Sequence, residues 1–268
     1  MTEARMQETT HFAPGTFCWV ELGTTKGEAA KKFYTSLFGW DYVDNPVGPD
    51  MVYTMLQLDG KDVGALYQLP GEMLSQGIPP NWVSYVSVAS ADEAAKKAKA
   101  AGGTIMKEPF DVMDVGRMAV IQDPTGAVFA LWQPRKHHGA AVVNVPNSFC
   151  WNELSTPDPA KAGEFYTNLF GWDRKVQELG SMTYTSFING TRPAGGMFKP
   201  TPEMGNIPPN WLVYFAVEDC DAKTAKAASL GAKAIVPPTD IPDTGRFAVI
   251  QDPQGAVFGI IKLTLTPS

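Results

Sequence analysis

The sequence predicts an α+β protein of two tandem domains, each assembled from a pair of β-α-β-β-β modules. Two observations lead there. The first is that the chain of 268 residues is written twice: FCWVELGTTKGEAAKKFYTSLFGWDY, Phe17 to Tyr42, matches FCWNELSTPDPAKAGEFYTNLFGWDR, Phe149 to Arg174, without a gap. IPPNWVSYVSV from Ile78 returns as IPPNWLVYFAV from Ile207, and DVGRMAVIQDPTGAVFA from Asp114 returns as DTGRFAVIQDPQGAVFG from Asp243. A period this long exceeds any solenoid unit and reads as two homologous domains. The second is that, inside each copy, apolar residues switch between strand and helix periodicity in a fixed order.

Each element follows from its residues. Phe17, Trp19 and Glu21 alternate with Cys18, Val20 and Leu22, a strand pattern. Ala30, Phe33, Tyr34 and Leu37 then recur at helical spacing, with Gly39 as the stop, and Ala162, Phe165, Tyr166, Leu169 and Gly171 repeat them. MVYTMLQLDG and VGALYQL read as hairpin strands, as do SMTYTSFING and AGGMFKP. After a proline-rich connection comes the strand WVSYVSVAS, and Ser90 with Glu93 forms a capping box ahead of an Ala/Lys-rich helix ending at Gly102-Gly103. RMAVIQ and AVFALWQ flank Asp123-Pro124-Thr125-Gly126, whose residue order specifies a type I turn and so a closing hairpin. The expected boundaries are a flexible leader over 1–14, a first domain over 15–134, a linker over 135–147 and a second domain over 148–264.

Composition narrows the function. A net charge of −6, with no basic run longer than Arg135-Lys136, gives no footprint for nucleic acid. No apolar run approaches the roughly 20 residues needed to cross a bilayer, and MTEARMQETTHF lacks the apolar core of a signal peptide. The expectation is a cytoplasmic protein, monomer or homodimer, whose partner is a small molecule. Cys18, Cys150 and Cys220 form no CxxC pair and read as packing residues.

The order strand, FYTSLFGW or FYTNLFGW, then DPTG or DPQG, occurring twice, resembles the vicinal oxygen chelate superfamily, which includes glyoxalase I, extradiol dioxygenases and bleomycin-binding resistance proteins. More narrowly, IPPNW and GR(M/F)AVIQDP look like the tandem glyoxalase-like proteins of actinomycetes, of hydroxylase type. The resemblance implies that paired modules curl into an open cup with the ligand inside. It also implies a divalent metal held by His and Glu from the cup-facing strands. Carried onto this chain, the ligand positions are Trp19 and Trp151, Val83 and Leu212, and Ala130 and Gly259, none of which binds a metal. The three histidines, His11, His137 and His138, fall outside both repeats, and the last two read as solvated linker. No metal and no other cofactor is expected.

Residues i and i+2 share a strand face, so if Trp19 and Trp151 face the cups, Glu21 and Glu153 do too. A carboxylate among apolar walls must pair, accept hydrogen bonds or take a raised pKa. Glu21 and Glu153 are therefore the candidate catalytic residues, with a purely structural hydrogen-bonding role as the alternative. The same parity selects Trp19, Asn81, Tyr85 and Gln122, with Trp151, Asn210, Tyr214 and Gln251, as candidate ligand contacts. Trp40 and Trp172 read as core anchors, whereas Trp82 and Trp211 either rim the cup or seal an interface. Arg117 and Arg246 either meet an anionic ligand at the mouth or pair with a nearby aspartate. The function expected is metal-independent binding of a small aromatic or carbonyl metabolite, for sequestration or resistance. The alternative is a glyoxalase-like lyase or isomerase, or a hydroxylase-like enzyme, using Glu21 or Glu153 for proton transfer. Metal-dependent glyoxalase I chemistry is disfavoured by the missing ligands.

Overall fold

A computed structural model describes residues 9, 11–49, 51–179 and 182–264. Most of the expected leader, residues 1–8 and 10, lies outside these. The fold is the α+β class predicted, with sixteen strands in two curled eight-stranded sheets. The first sheet holds β1 (Phe17–Thr24), β2 (Asp41–Gly48), β3 (Met51–Leu58), β4 (Lys61–Gln68), β5 (Asn81–Ser87), β6 (Thr104–Val112), β7 (Gly116–Gln122) and β8 (Val128–Pro134). Its spatial order is β2-β3-β4-β1-β5-β8-β7-β6. The second holds β9 (Phe149–Ser155), β10 (Asp173–Leu179), β11 (Met182–Asn189), β12 (Arg192–Phe198), β13 (Asn210–Ala216), β14 (Lys233–Ile241), β15 (Gly245–Gln251) and β16 (Val257–Leu263), in the same order. Modules therefore pair within each half of the chain, through the antiparallel β1–β5 and β9–β13 seams.

The helices are α1 (Gly27–Phe38), α2 (Gly71–Ser75), α3 (Ala91–Ala100), α4 (Pro159–Phe170) and α5 (Cys220–Ser229). Helix α1 ends at Gly39 and α4 at Gly171, both with φ of 74°, the left-handed stop for which glycine carries no Cβ penalty. Ser90 caps α3 by accepting from the Glu93 amide, as the capping box requires. Strands β2, β6, β10 and β14 lie at the sheet edges, where Pro46, Pro109, Pro237 and Pro238 are tolerated because no outer neighbour needs their missing N–H. Those prolines and a high polar content hide these strands from sequence periodicity.

The sheets meet through their convex faces, and the long helices are exchanged across the seam. Phe38 of α1 lies 5.1 Å from Phe215 and 6.0 Å from Phe258 of the second sheet. Reciprocally, Phe129 of the first sheet lies 6.3 Å from Phe165 and 5.6 Å from Tyr166 of α4. Within this seam the Trp82 indole donates to the Tyr34 hydroxyl at 3.0 Å, and Tyr34 donates to Asp252 at 2.9 Å. Trp211, Tyr166 and Asp123 repeat the relay at 2.7 and 2.8 Å. Trp82 and Trp211 thus seal the interface and take no part in the concave rims. Trp40 and Trp172 are buried and also reach across, to the Asn147 and Gly15 carbonyls. A bulge between Phe17 and Trp19 breaks the simple alternation of β1. It turns Phe17 toward Trp211, at 5.0 Å, while Trp19 keeps to the concave side.

Tyr34→Phe is expected to destabilise the chain by about 1–3 kcal/mol, because it strands the Trp82 donor and one Asp252 oxygen in a buried seam. Tyr166→Phe should cost a similar amount. Urea unfolding monitored by far-UV circular dichroism checks both, and wild-type midpoints in the two variants would refute the relay's role.

Candidate functional site

Strand register lays the concave face of the first sheet out as three rungs. One rung is Met55, Ala65, Glu21 and Val83, and the next is Trp19, Tyr85, Ala130 and Val120. The third is Tyr53, Tyr67, Gly23 and Asn81. In the second sheet the rungs read Ser186, Gly196, Glu153 and Leu212, then Trp151, Tyr214, Gly259 and Val249, then Tyr184, Phe198, Ser155 and Asn210. Most of these side chains are half-buried, the signature of a wall open to solvent on one side.

Both glutamates sit at the centre of their cup. Tyr53 donates to Glu21 Oε2 at 2.8 Å, Tyr85 donates to Oε1 at 2.6 Å, and the Trp19 indole supports Tyr53 at 3.1 Å. Around Glu153, Tyr184 donates to Oε1 and Tyr214 to Oε2, both at 3.0 Å, and Trp151 supports Tyr184 at 3.1 Å. Burial pushes both glutamate pKa values up, and the phenol hydrogen bonds oppose that rise. Burial, with the nearby Glu21 charge, raises Tyr53, Tyr85 and Tyr67 as well, so all three stay protonated donors at neutral pH.

The number of donors separates these glutamates from the other buried carboxylates. Asp252 accepts from Tyr34 and from three backbone amides, those of Gln254, Gly255 and Ala256. Asp123 accepts from Tyr166, from the Thr125 hydroxyl and from three amides, and so is equally full. A carboxylate has about four acceptor sites. Glu21 and Glu153 each receive two protein hydrogen bonds among the described residues, leaving about half of that capacity open.

The remaining candidates divide. Trp19, Tyr85, Trp151 and Tyr214 belong to the two clusters, and Asn81 and Asn210 stand on the rung beside them. Gln122 and Gln251 do not join: each amide donates to a carbonyl of its own turn, Gly126 at 3.2 Å and Gly255 at 3.3 Å. Arg117 pairs with Asp92 and Asp111, and Arg246 with Asp221 and Asp240. Sequence reasoning misses Tyr53 and Tyr184, although both alternate on their strands with a matching Thr in the two copies, and it misses His137. Far from being solvated, the His137 ring lies edge-on to Trp19 at 4.6 Å, and burial lowers its pKa.

The family metal does not fit this donor set. The expected ligand positions present an indole, an aliphatic chain and either a methyl group or nothing, in both cups. Among the described residues no three His, Cys, Asp or Glu side chains converge as metal ligands require. No helix among them is long and apolar enough to cross a membrane.

Comparison with known proteins follows the duplication. A family model described as Glyoxalase/Bleomycin resistance protein/Dioxygenase superfamily matches residues 16–131 and again 137–260. A Mycobacterium tuberculosis protein, CFP32, whose name provisionally marks it as a glyoxylase, is 44% identical over 259 residues, covering 96% of this chain and 98% of its own. The anthracycline biosynthesis protein DnrV of Streptomyces peucetius is 37% identical over 270 residues, 95% of each chain. A Mn(II)-bound glyoxalase from Novosphingobium aromaticivorans shares the fold at a TM-score of 0.66 and 16% identity, over 93% of this chain and 82% of that one. The 2,3-dioxygenase LapB from Pseudomonas sp. KL28 does so at 0.65 and 12%, over 94% and 93%.

The raised glutamates carry a pH signature. Above the ordinary carboxyl value of 4.5, the folded chain retains protons on Glu21 and Glu153 that the unfolded chain releases. The stability held by the neutral carboxyls is complete below that value and is lost as pH rises through the raised one. Glu21→Gln with Glu153→Gln should flatten that decline relative to wild type. Thermal melts across roughly pH 4–8 check it, and parallel curves would refute it.

Proposed function

Within the Glyoxalase/Bleomycin resistance protein/Dioxygenase superfamily, to which this chain belongs, we propose a binding role. The ligand is a small planar aromatic or carbonyl compound, taken up in the concave face of a sheet without a metal. The observation that carries this reading is the half-filled carboxylate: a Glu clamped by two tyrosines, with acceptor sites left over, among aromatic and aliphatic walls. Such a centre accepts a hydrogen bond from a ligand phenol at the carboxylate, while the Asn81 or Asn210 amide on the adjoining rung offers a donor to a ligand keto oxygen, the clamping tyrosines having already given their single protons to the glutamate. Few convergent polar groups in an apolar concavity are the usual build of a small-molecule site. DnrV carries the name of a pathway to fused-ring aromatic compounds, which agrees with this class of ligand.

A second reading rests on the raised glutamate pKa values: a carboxylate that holds its proton more tightly than usual is a stronger base, suited to proton abstraction beside a carbonyl. In that case Glu21 or Glu153 is the base, and the tyrosines hold it in place.

The test uses 9-fluorenone and 2-naphthol as planar probes, with cyclohexanone as the aliphatic contrast. Both planar probes should raise the melting temperature, with a stabilisation of about 2.7 kcal/mol at a hundredfold excess over Kd. Dialysis against EDTA should leave their affinity unchanged. Glu→Gln variants that bind more weakly, with no turnover by wild type, support the binder; kept affinity with lost turnover supports the enzyme. No shift with either planar probe would overturn both readings.

A further inference from the structure

We propose that the two concave faces are unequal: the second, on β9 to β16, takes the ligand, a fused-ring aromatic with a keto or phenolic oxygen, and the first is narrowed over Trp19 by the chain following β8. This rests on the binding role above and adds where the ligand sits and what shape it has.

The cover over Trp19 is built from backbone contacts. The Arg135 and His137 amides both donate to the Val115 carbonyl, Ala140 donates to the Cys18 carbonyl at 2.8 Å, and Ala141 donates to that of Asp62 at 2.7 Å. The Trp132 indole holds the His137 carbonyl at 2.9 Å. This fixes the imidazole against Trp19, which is only 3% exposed. The equivalent indole of the second face, Trp151, is half-buried where Trp19 is buried.

The second face also has the deeper floor. Gly196 and Gly259 replace Ala65 and Ala130. A Cβ on Gly259 would overlap the Tyr214 ring, and one on Gly196 would overlap the Tyr184 hydroxyl. Both tyrosines therefore rest directly on backbone at the floor of this face. Its wall is more aromatic, with Phe198 and Phe247 where the first face has Tyr67 and Met118.

An independent observation points to a missing partner here. Ser155 is 4% exposed and shares a face of β9 with Trp151 and Glu153, yet its Oγ has no hydrogen-bond partner among the described residues. A buried hydroxyl without a partner is costly. At the matching position the first face has Gly23, where no hydroxyl is present to be left unsatisfied. A ligand oxygen, or a water bridging to it, supplies what Ser155 lacks.

The experiment titrates 9-fluorenone into the full chain by calorimetry and follows 13C-methyl methionine signals by NMR. Met55 and Met118 line the first face only, since Ser186 and Phe247 replace them in the second. One equivalent per chain is expected, with the Met55 and Met118 methyl resonances unmoved. Gly259→Ala and Phe247→Ala should each weaken affinity at least tenfold, and the half-exposed Phe247 site keeps one variant clear of folding defects. Two equivalents, Met55 and Met118 shifts that track saturation, or wild-type affinity in both variants would overturn the inequality while leaving the binding role intact. Absence of any saturable binding to wild type would overturn the binding role and this inference together.

Discussion

The aspartate of each DPxG turn reaches the tyrosine of the opposite half, and the rest of the architecture depends on that exchange. Asp252 uses one oxygen to close its own turn through three amides and the other to receive Tyr34, which in turn receives Trp82. Asp123, Tyr166 and Trp211 do the same in the other direction. A carboxylate buried between two sheets is tolerable only when its acceptor sites are filled, so the turn, the helix and the strand must arrive together. Burial raises the Asp252 pKa, against the pull of its four hydrogen bonds, so part of the cost of placing it there is not offset. Mutual dependence of this kind ties the two halves into one folding problem.

Sealing the convex faces decides which surfaces remain for a ligand. Trp82, Trp211, Phe17 and Phe215 pack in the seam, with Ser84 donating to Asn152 at 2.5 Å in its middle. What is left on each sheet is the concave side, where strand alternation delivers Trp, Glu and Tyr side chains and, among the described residues, no group of three metal-ligating side chains. The opening glutamates are then explained by the same accounting that explains the aspartates. The aspartates of the seam have their acceptor sites filled, and the glutamates of the concave faces keep about half of theirs.

Strand parity is enough to place Glu21, Trp19 and Tyr85 on one face, and the repeat makes the same placement twice, because period-2 geometry follows from the backbone alone. The duplication and the helices α1 and α4 are legible for the same reason. Beyond local periodicity the legibility stops. Gln122 and Gln251 have cup-facing parity, yet each finds a nearer partner in its own turn, a competition that parity does not express. The edge strands carry no alternation because they have no buried face to encode. The choice for Trp82 and Trp211 between rim and seam depends on which side the helices cover, and that is set by contacts over two hundred residues apart, such as Tyr34 with Asp252. His137 looks solvated in sequence because a short polar segment normally is; here its backbone is tied to Val115, which sets the ring against Trp19 and Trp132.

Duplication also accounts for how the two faces came to differ. The relay is reciprocal, so a change at Tyr34 or Asp252 is felt by both halves, and its Trp, Tyr and Asp recur in both copies, whereas Phe215, Ser84 and Asn152 elsewhere in the seam stand where the other copy has Val86, Val213 and Val20. Concave residues carry no such obligation. Ala65 and Ala130 could become Gly196 and Gly259, and Tyr67 could become Phe198, without disturbing a contact that the other half needs. The hydroxyl lost at Phe198 has a counterpart at Ser155, so the second face keeps a polar group close to its glutamate but moves it one strand across. In the inequality we propose, a fold that fixes its interfacial relay and frees its cups lets one copy serve as a scaffold while the other is shaped to a ligand. His137 packed on a buried Trp19, against a half-buried Trp151, is the physical form of that division.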